Sequence, residues 1–216
     1  MNSSFPGRLA DLHAAHAVGD VVILDLFDEP VSDDLINGAG FEVVSREPLT
    51  VRRLRSLPDR VGPDMRLLVC GLNPSLYAAD QGVNFARPGN RFWPALLAAG
   101  LVTVDRDPGH ALHHHHIGMT DLVKRATVAA SELKPDEYDA GVARVERLCA
   151  WLRPAVLCVV GLAGWRTVVD RKATTGWQPD ALGGVPVYVM PNTSGLNAST
   201  QLAGFVAHLR TAIAGP

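Results

Sequence analysis

Two polar, glycine-containing segments leave apolar runs at widely separated points of the chain. Gly71-Leu-Asn-Pro-Ser75 follows Arg66-Leu-Leu-Val-Cys70, and Asn192-Thr-Ser-Gly-Leu-Asn197 follows Val185-Pro-Val-Tyr-Val-Met190. Each apolar run reads as a short buried strand. Parallel sheets place their sites in the crevice beyond the carboxyl ends of strands, so the two loops could converge on one pocket. The chemistry this allows is specific. An amide such as that of Asn73 is no effective general base, but it can orient water or a substrate, and the rate must then come mainly from electrostatic preorganisation.

The elements that must hold these loops alternate in type from residue 66 onward. We expect strand 66–72, helix 91–99, helix 138–152, strand 155–160, helix 163–171, strand 185–190 and helix 200–213. Asn90 can cap the first helix, Pro94 falls inside its first turn, and Gly100 can end it. Val142, Val145, Leu148, Cys149 and Leu152 recur at helical spacing and should face the sheet. This is α/β order, and it predicts a three-layer α/β/α sandwich around a short, mainly parallel central sheet. Right-handed crossovers would bring the loops after residues 72, 160 and 190 to one edge. Residues 57–216 are expected to form this domain. Residues 1–56 are expected to form a small structural or regulatory appendage, because residues 20–45 hold seven acidic side chains and no Lys or Arg around the apolar run Val21-Val-Ile-Leu24. Arg52, Arg53, Arg55 and Arg60 then read as a basic linker or a supplementary DNA contact.

Composition narrows the partners. A chain of 216 residues with 47% hydrophobic content can bury a full core. No apolar stretch is long enough for a transmembrane helix, and Met1-Asn-Ser-Ser-Phe-Pro6 lacks the charged-then-apolar order of a signal peptide, so a cytoplasmic, non-membrane protein is expected. Cys70, Cys149 and Cys158 are odd in number, lie in apolar surroundings and fall short of the four thiolates an iron–sulfur cluster usually takes. The net charge of −2 is unevenly spread: residues 1–65 carry 11 acidic and 6 basic side chains, residues 66–216 carry 11 and 14. A mildly cationic C-terminal part suits a local basic face and modest affinity for nucleic acid.

The motifs Gly71-Leu-Asn-Pro-Ser75, Gly82-Val-Asn-Phe-Ala86, Pro88-Gly-Asn-Arg-Phe-Trp93, Gly118-Met-Thr-Asp-Leu-Val-Lys-Arg125 and Asn192-Thr-Ser-Gly-Leu196 occur in this order. In sequence and spacing they resemble the mismatch-specific uracil/thymine DNA glycosylases of the uracil-DNA glycosylase superfamily, over about Leu57 to Ala212. The resemblance implies a monomeric, monofunctional enzyme that hydrolyses the N-glycosidic bond of uracil, in a G·U mismatch or as a related damaged pyrimidine. It would act in double-stranded DNA, need neither metal nor cofactor, and leave an abasic site.

Residue by residue, the resemblance makes Asn73 the water-positioning amide and Phe85 the aromatic that stacks on the extruded pyrimidine, with Leu72, Ser75 and Asn192 also around the base. Gly195, Leu196 and Asn197 would enter the duplex, Leu196 as the wedge that fills the vacated space. Arg91, Lys124 and Arg125 become candidate phosphate contacts. Each has a plainer reading: Asn73 as a turn cap before Pro74, Phe85 as core, Leu196 as a lid on the next helix, the three cations as solvated charge. Several departures from the family stand out. Ser75 replaces a common Gly, which leaves room for a 5-methyl group in doubt. Thr193 replaces a Pro, and Asn197-Ala198 stands where Ser-Arg is common, so reading of an opposing guanine by a cation is in doubt. Asp121 stands where relatives carry Lys or Asn. A carboxylate there could take a proton from water or stabilise the sugar cation, or it could cap a helix N-terminus.

His113-His-His-His116 reads as an exposed linker, since four consecutive side chains cannot converge on one ion and no Cys/His spacing supports zinc. Two rivals remain. One is a non-catalytic protein of the same fold that holds lesion or abasic DNA through Phe85 and Leu196. The other is a nucleotide-binding α/β domain, for which the phosphate-loop motif is missing.

Overall fold

The computed structural model describes residues 5–24 and 31–216, so Asp25, Asp28 and Glu29 of the acidic block lie outside the described residues. The N-terminal block has its own core. Helix α1 (Phe5–Ala15) and α2 (Asp33–Gly38) pack Phe5, Leu9, Leu35 and Ile36 on Phe41 and Val51 of an antiparallel sheet. The strands of that sheet, β1 (Val21–Ile23), β2 (Phe41–Arg46) and β3 (Leu49–Arg53), run in the order β1-β3-β2. The stretch expected to be a basic linker is thus partly a strand. Its arginines are engaged: Arg52 with Glu42, Arg55 with Asp80, and Arg53 with the His13 carbonyl.

The larger sheet contains β4 (Leu67–Gly71), β5 (Ile117–Asp121), β6 (Leu157–Val160), β7 (Gly176–Trp177) and β8 (Val187–Met190) in the order β5-β4-β6-β8-β7. All pairs are parallel except the β7 edge. Alternation along each strand divides the core in two. Leu67, Val69, Ile117, Met119, Cys158 and Met190 face a layer containing α4 (Phe92–Ala99) and α8 (Leu202–Ala214). Leu68, Cys70, Leu157, Val187 and Val189 face α6 (Pro135–Leu152) and α7 (Leu162–Val168). The expected three-layer sandwich is present. The chain leaves β4 toward β5 and leaves β6 toward β8 on the other side, so β4 and β6 flank a topological switch point.

Among the elements that went unread, two bear on the site and its surroundings. Strand β5 carries Gly118 and a terminal Asp121, both poor strand formers. Glycine suits that position, because a Cβ at 118 would displace the buried Met65 Sδ and press on the Arg60 carbonyl. The histidine run is not a linker: it forms the last turn of α5 (Pro108–His115), with His116 in the left-handed conformation that ends it. Asp107 accepts the His110 backbone N–H and Pro108 occupies the first turn, a helix-start signal that the histidine composition obscured. A further short helix, α3 (Leu76–Gln81), follows the first loop.

The N-terminal block docks on α6. Arg147 makes a two-armed ion pair with Asp34 (2.5 and 2.9 Å), and Trp151 packs against both cores.

Candidate functional site

Parallel register places Gly71 beside Asp121 at the carboxyl ends of β4 and β5. Beyond this point the two loops continue as a ladder: the Leu122 N–H donates to Gly71 O, Val123 N–H to Leu72 O and Thr127 N–H to Pro74 O, while Leu76 N–H donates back to Thr127 O. Asn73 closes the ladder with its side chain. Its Nδ2 donates to Thr127 Oγ1 (2.7 Å), Arg125 O (3.0 Å) and Pro74 O (3.2 Å). Ser75 caps α3, accepting the Ala78 N–H at 3.1 Å. Leu72 is half-buried beside them.

Asp121 is buried, on the face that holds α4. It sits at a strand end rather than a helix N-terminus, so the capping alternative has no helix to cap. Its Oδ1 crowds the position a Cβ of residue 71 would take, so any larger residue there would displace the carboxyl. Its Oδ2 accepts one hydrogen bond, from Asn84 Nδ2 at 3.2 Å. Burial pushes the Asp121 carboxyl up to about 6, Lys124 and Arg144 pulling against it and Asp59 pushing with it.

Phe85 follows Asn84 with a positive φ of 57°, an uncommon conformation for a bulky residue. That turn lays its ring on Phe92, with centroids 4.1 Å apart, and brings Cζ within 3.4 Å of the point a Gly71 Cβ would occupy. One ring face is supported by the core, and the ring lies next to the Asp121 carboxyl. Trp93 Nε1 fixes the same turn by donating to Asn84 O at 2.7 Å.

The loop after β8 is drawn to this corner by Arg91. Its backbone N–H donates to Thr193 O, and its guanidinium donates to Thr200 O (2.7 Å), Ser194 O (3.1 Å) and Asn197 O. Asn197 is occupied within the loop: Nδ2 donates to Asn192 O and Thr200 Oγ1, and Oδ1 accepts from Ser199 and Thr200. Exposed Asn192 accepts the Ser194 N–H. Gly195 packs on the Gly89 backbone. Leu196, at 88% exposure, projects from this braced loop, so it does not pack as a lid on the following helix.

Of the three candidate phosphate contacts, none is a plain surface cation. Lys124 is buried, and its Nζ pairs with Asp59 Oδ1 at 2.7 Å, which removes it from any phosphate. Arg91 is turned inward onto three carbonyls. Arg125 is exposed but pairs through two arms with Glu137 (2.7 and 2.8 Å) and donates to Glu132 O. A charged side chain followed by a favourable sequence context does not reveal a partner 65 residues away, as Asp59 is from Lys124. The structure therefore brings together Asn73, Ser75, Phe85 and Asp121, with the Asn192–Asn197 loop beside them, and excludes Lys124.

Two residues escaped the sequence reading. Asn84 lay inside a recognised motif but was not singled out. Asp59 is the hub of a buried cluster: besides Lys124, it accepts from Arg144 Nη1 (2.7 Å) and Thr120 Oγ1 (2.7 Å), while Arg144 Nη2 donates to Asp121 O. Among the described residues no group of three or more His, Cys, Asp and Glu side chains is placed to hold a metal ion. The three cysteines are buried free thiols, and burial pushes Cys149 and Cys158 up to about 12, where they are inert as nucleophiles.

A solution NMR structure from Methanosarcina acetivorans, provisionally named a uracil DNA glycosylase, is similar at 19% identity and a TM-score of 0.48, over 72% of this chain and 98% of its own. The family model of the uracil DNA glycosylase superfamily matches residues 58–213, which include both loops, Phe85 and Asp121. With that match over most of its length, the chain belongs to the uracil DNA glycosylase superfamily, whose members are DNA glycosylases.

Proposed function

We propose that the protein is a monofunctional glycosylase of the mismatch-specific uracil/thymine type, releasing uracil from duplex DNA, with G·U mismatches and related damaged pyrimidines as substrates. The observation that carries the reading is the convergence at one sheet edge of an exposed apolar tip, a core-backed aromatic ring and a buried carboxyl with a single side-chain partner among the described residues. These are the parts that extraction of a base, its retention and its hydrolysis each need. Leu196 enters the stack as the nucleotide leaves it, on a loop that Arg91 keeps rigid. Phe85 stacks on the extruded pyrimidine, an interaction worth about 1–3 kcal/mol and tolerant of base identity.

The bond from the sugar C1′ to the pyrimidine nitrogen then breaks, and its electron pair leaves with the base. Water adds to C1′, and Asp121 takes the proton. With its nitrogen tied to three acceptors, Asn73 offers its amide oxygen to that water. A bifunctional enzyme would need a free amine nucleophile, and Lys124, the lysine nearest the site, is held in an ion pair. Arg125 and the loop backbone are the remaining candidates for contact with phosphate, in keeping with modest affinity.

Single-turnover release of base from G·U, A·U, G·T and etheno-cytosine duplexes tests the proposal. We expect G·U to be processed fastest, and a rate that falls below about pH 6, where Asp121 is protonated. Binding of abasic duplex with no release from any member of the panel would sink it.

A further inference from the structure

Asn84 has a feature the proposed reaction does not use. It is 2% exposed, its backbone is anchored by Trp93 and its Nδ2 reaches Asp121 Oδ2, yet its Oδ1 is buried without a hydrogen-bond partner among the described residues. A buried amide half-satisfied in this way costs stability, typically about 1–3 kcal/mol for the orphaned group. A leucine or valine would fill the same space without that cost. The orphaned oxygen has one evident use. Rotating the amide about its last bond would exchange Oδ1 for Nδ2 opposite Asp121, so the same side chain can donate to the carboxylate and accept from the carboxylic acid.

We propose that Asn84 is a positioning residue that holds the Asp121 carboxyl in both protonation states and sets the pH at which it becomes a base. This rests on the reading of Asp121 as the proton acceptor. The other groups around Asp121 cannot take this part. Lys124 and Arg144 are directed at Asp59, which itself lies on the opposite face of β5 with Thr120; Arg144 also donates to the Asp121 backbone carbonyl, and both cations reach the Asp121 carboxyl only through space. Cys70 on β4 stays a neutral thiol because burial pushes its ionisation up. The Asn84 amide is the one side-chain hydrogen bond to the Asp121 carboxyl among the described residues. Its donation to the charged carboxylate is stronger than its acceptance from the neutral acid, so on balance it favours the ionised form and its loss should move the ionisation of Asp121 to higher pH.

The test is a carbon-13 NMR titration of the Asp121 carboxyl in the free protein, paired with single-turnover rates against pH. Asn84→Ala should raise the Asp121 midpoint by about half to one pH unit, and Asn84→Asp, which preserves shape if the alanine variant folds poorly, should raise it further by adding a second carboxyl. The acidic limb of the rate should move by the same amount. A midpoint unchanged in a folded variant overturns the role of Asn84. A midpoint that moves while the acidic limb stays in place upholds Asn84 as the holder of Asp121 and instead overturns Asp121 as the base.

Discussion

The end of β5 presents two buried carboxylates on opposite faces of one strand, and they have opposite environments. Asp59, reached through Thr120 on the α6 face, accepts from a lysine, an arginine and a hydroxyl. Burial works against its charge, but Arg144 and Lys124 prevail and hold it below the ordinary carboxylate range. Asp121, on the α4 face, has one neutral donor and is pushed up to about 6. A carboxylate saturated with partners is a structural hub and cannot take a proton near neutrality. One left under-paired titrates closer to neutrality, and such perturbed groups cluster at functional sites. On the proposed reading, two carboxylates on opposite faces of one strand divide between stability and chemistry according to their partners.

Exchanging charge for an isosteric amide at each site should separate these roles. Asp121→Asn should cut single-turnover release by a factor on the order of 10²–10⁴ and remove the acidic limb of the rate profile. Its stability should change in the other direction. A raised folded-state pKa means that Asp121 favours folding when protonated. That contribution is lost as pH rises through about 6, so above this pH the buried charge costs up to about 3 kcal/mol. The Asn variant should therefore melt higher than the parent at pH 8 and lose this advantage as pH falls to about 4. A lower melting point at pH 8 together with full activity would abolish the contrast.

Asp59→Asn should behave oppositely, with a loss of about 3–5 kcal/mol because Lys124 and Arg144 are left buried without their counter-ion. Being depressed, the Asp59 ionisation stabilises the parent above the ordinary carboxylate range, and that stability is lost on acidification. Denaturant melts against pH would show the difference between parent and variant shrinking in acid. A variant as stable as the parent at pH 7 would remove Asp59 as a hub.

Smaller effects are expected at the loop. Leu196→Ala should slow release by about tenfold on A·U and less on G·U, because a well-paired base costs more to extrude and depends more on the wedge. Equal rates on both duplexes for variant and parent would reject the wedge. Arg91→Gln should weaken turnover several-fold by loosening the loop, yet leave the slope of log affinity against log salt unchanged, since its guanidinium binds carbonyls. A slope reduced by about one would instead place Arg91 on a phosphate.

The sequence alone determined the parts whose signals are local. Buried apolar runs marked β4 and β8, helical spacing and caps marked α4, α6 and α8, and the order of five motifs marked the family and the positions of Asn73, Phe85 and Leu196. Strand β5 was illegible because its glycine and terminal aspartate answer to packing against Met65 and to the neighbouring Gly71, not to strand propensity. Helix α5 was missed although its Asp107-Pro108 start was present, because composition outweighed the cap. What only the tertiary structure decided is which charges are free. Lys124, Arg91 and Asp121 look alike as polar residues in motif loops. Their fates depend on Asp59, on the carbonyls of residues 194–200 and on Asn84, each brought near by sheet register and loop packing. Hydrogen bonds and ion pairs act over about 3 Å of space and have no range in sequence, so the chain that specifies them does not display them.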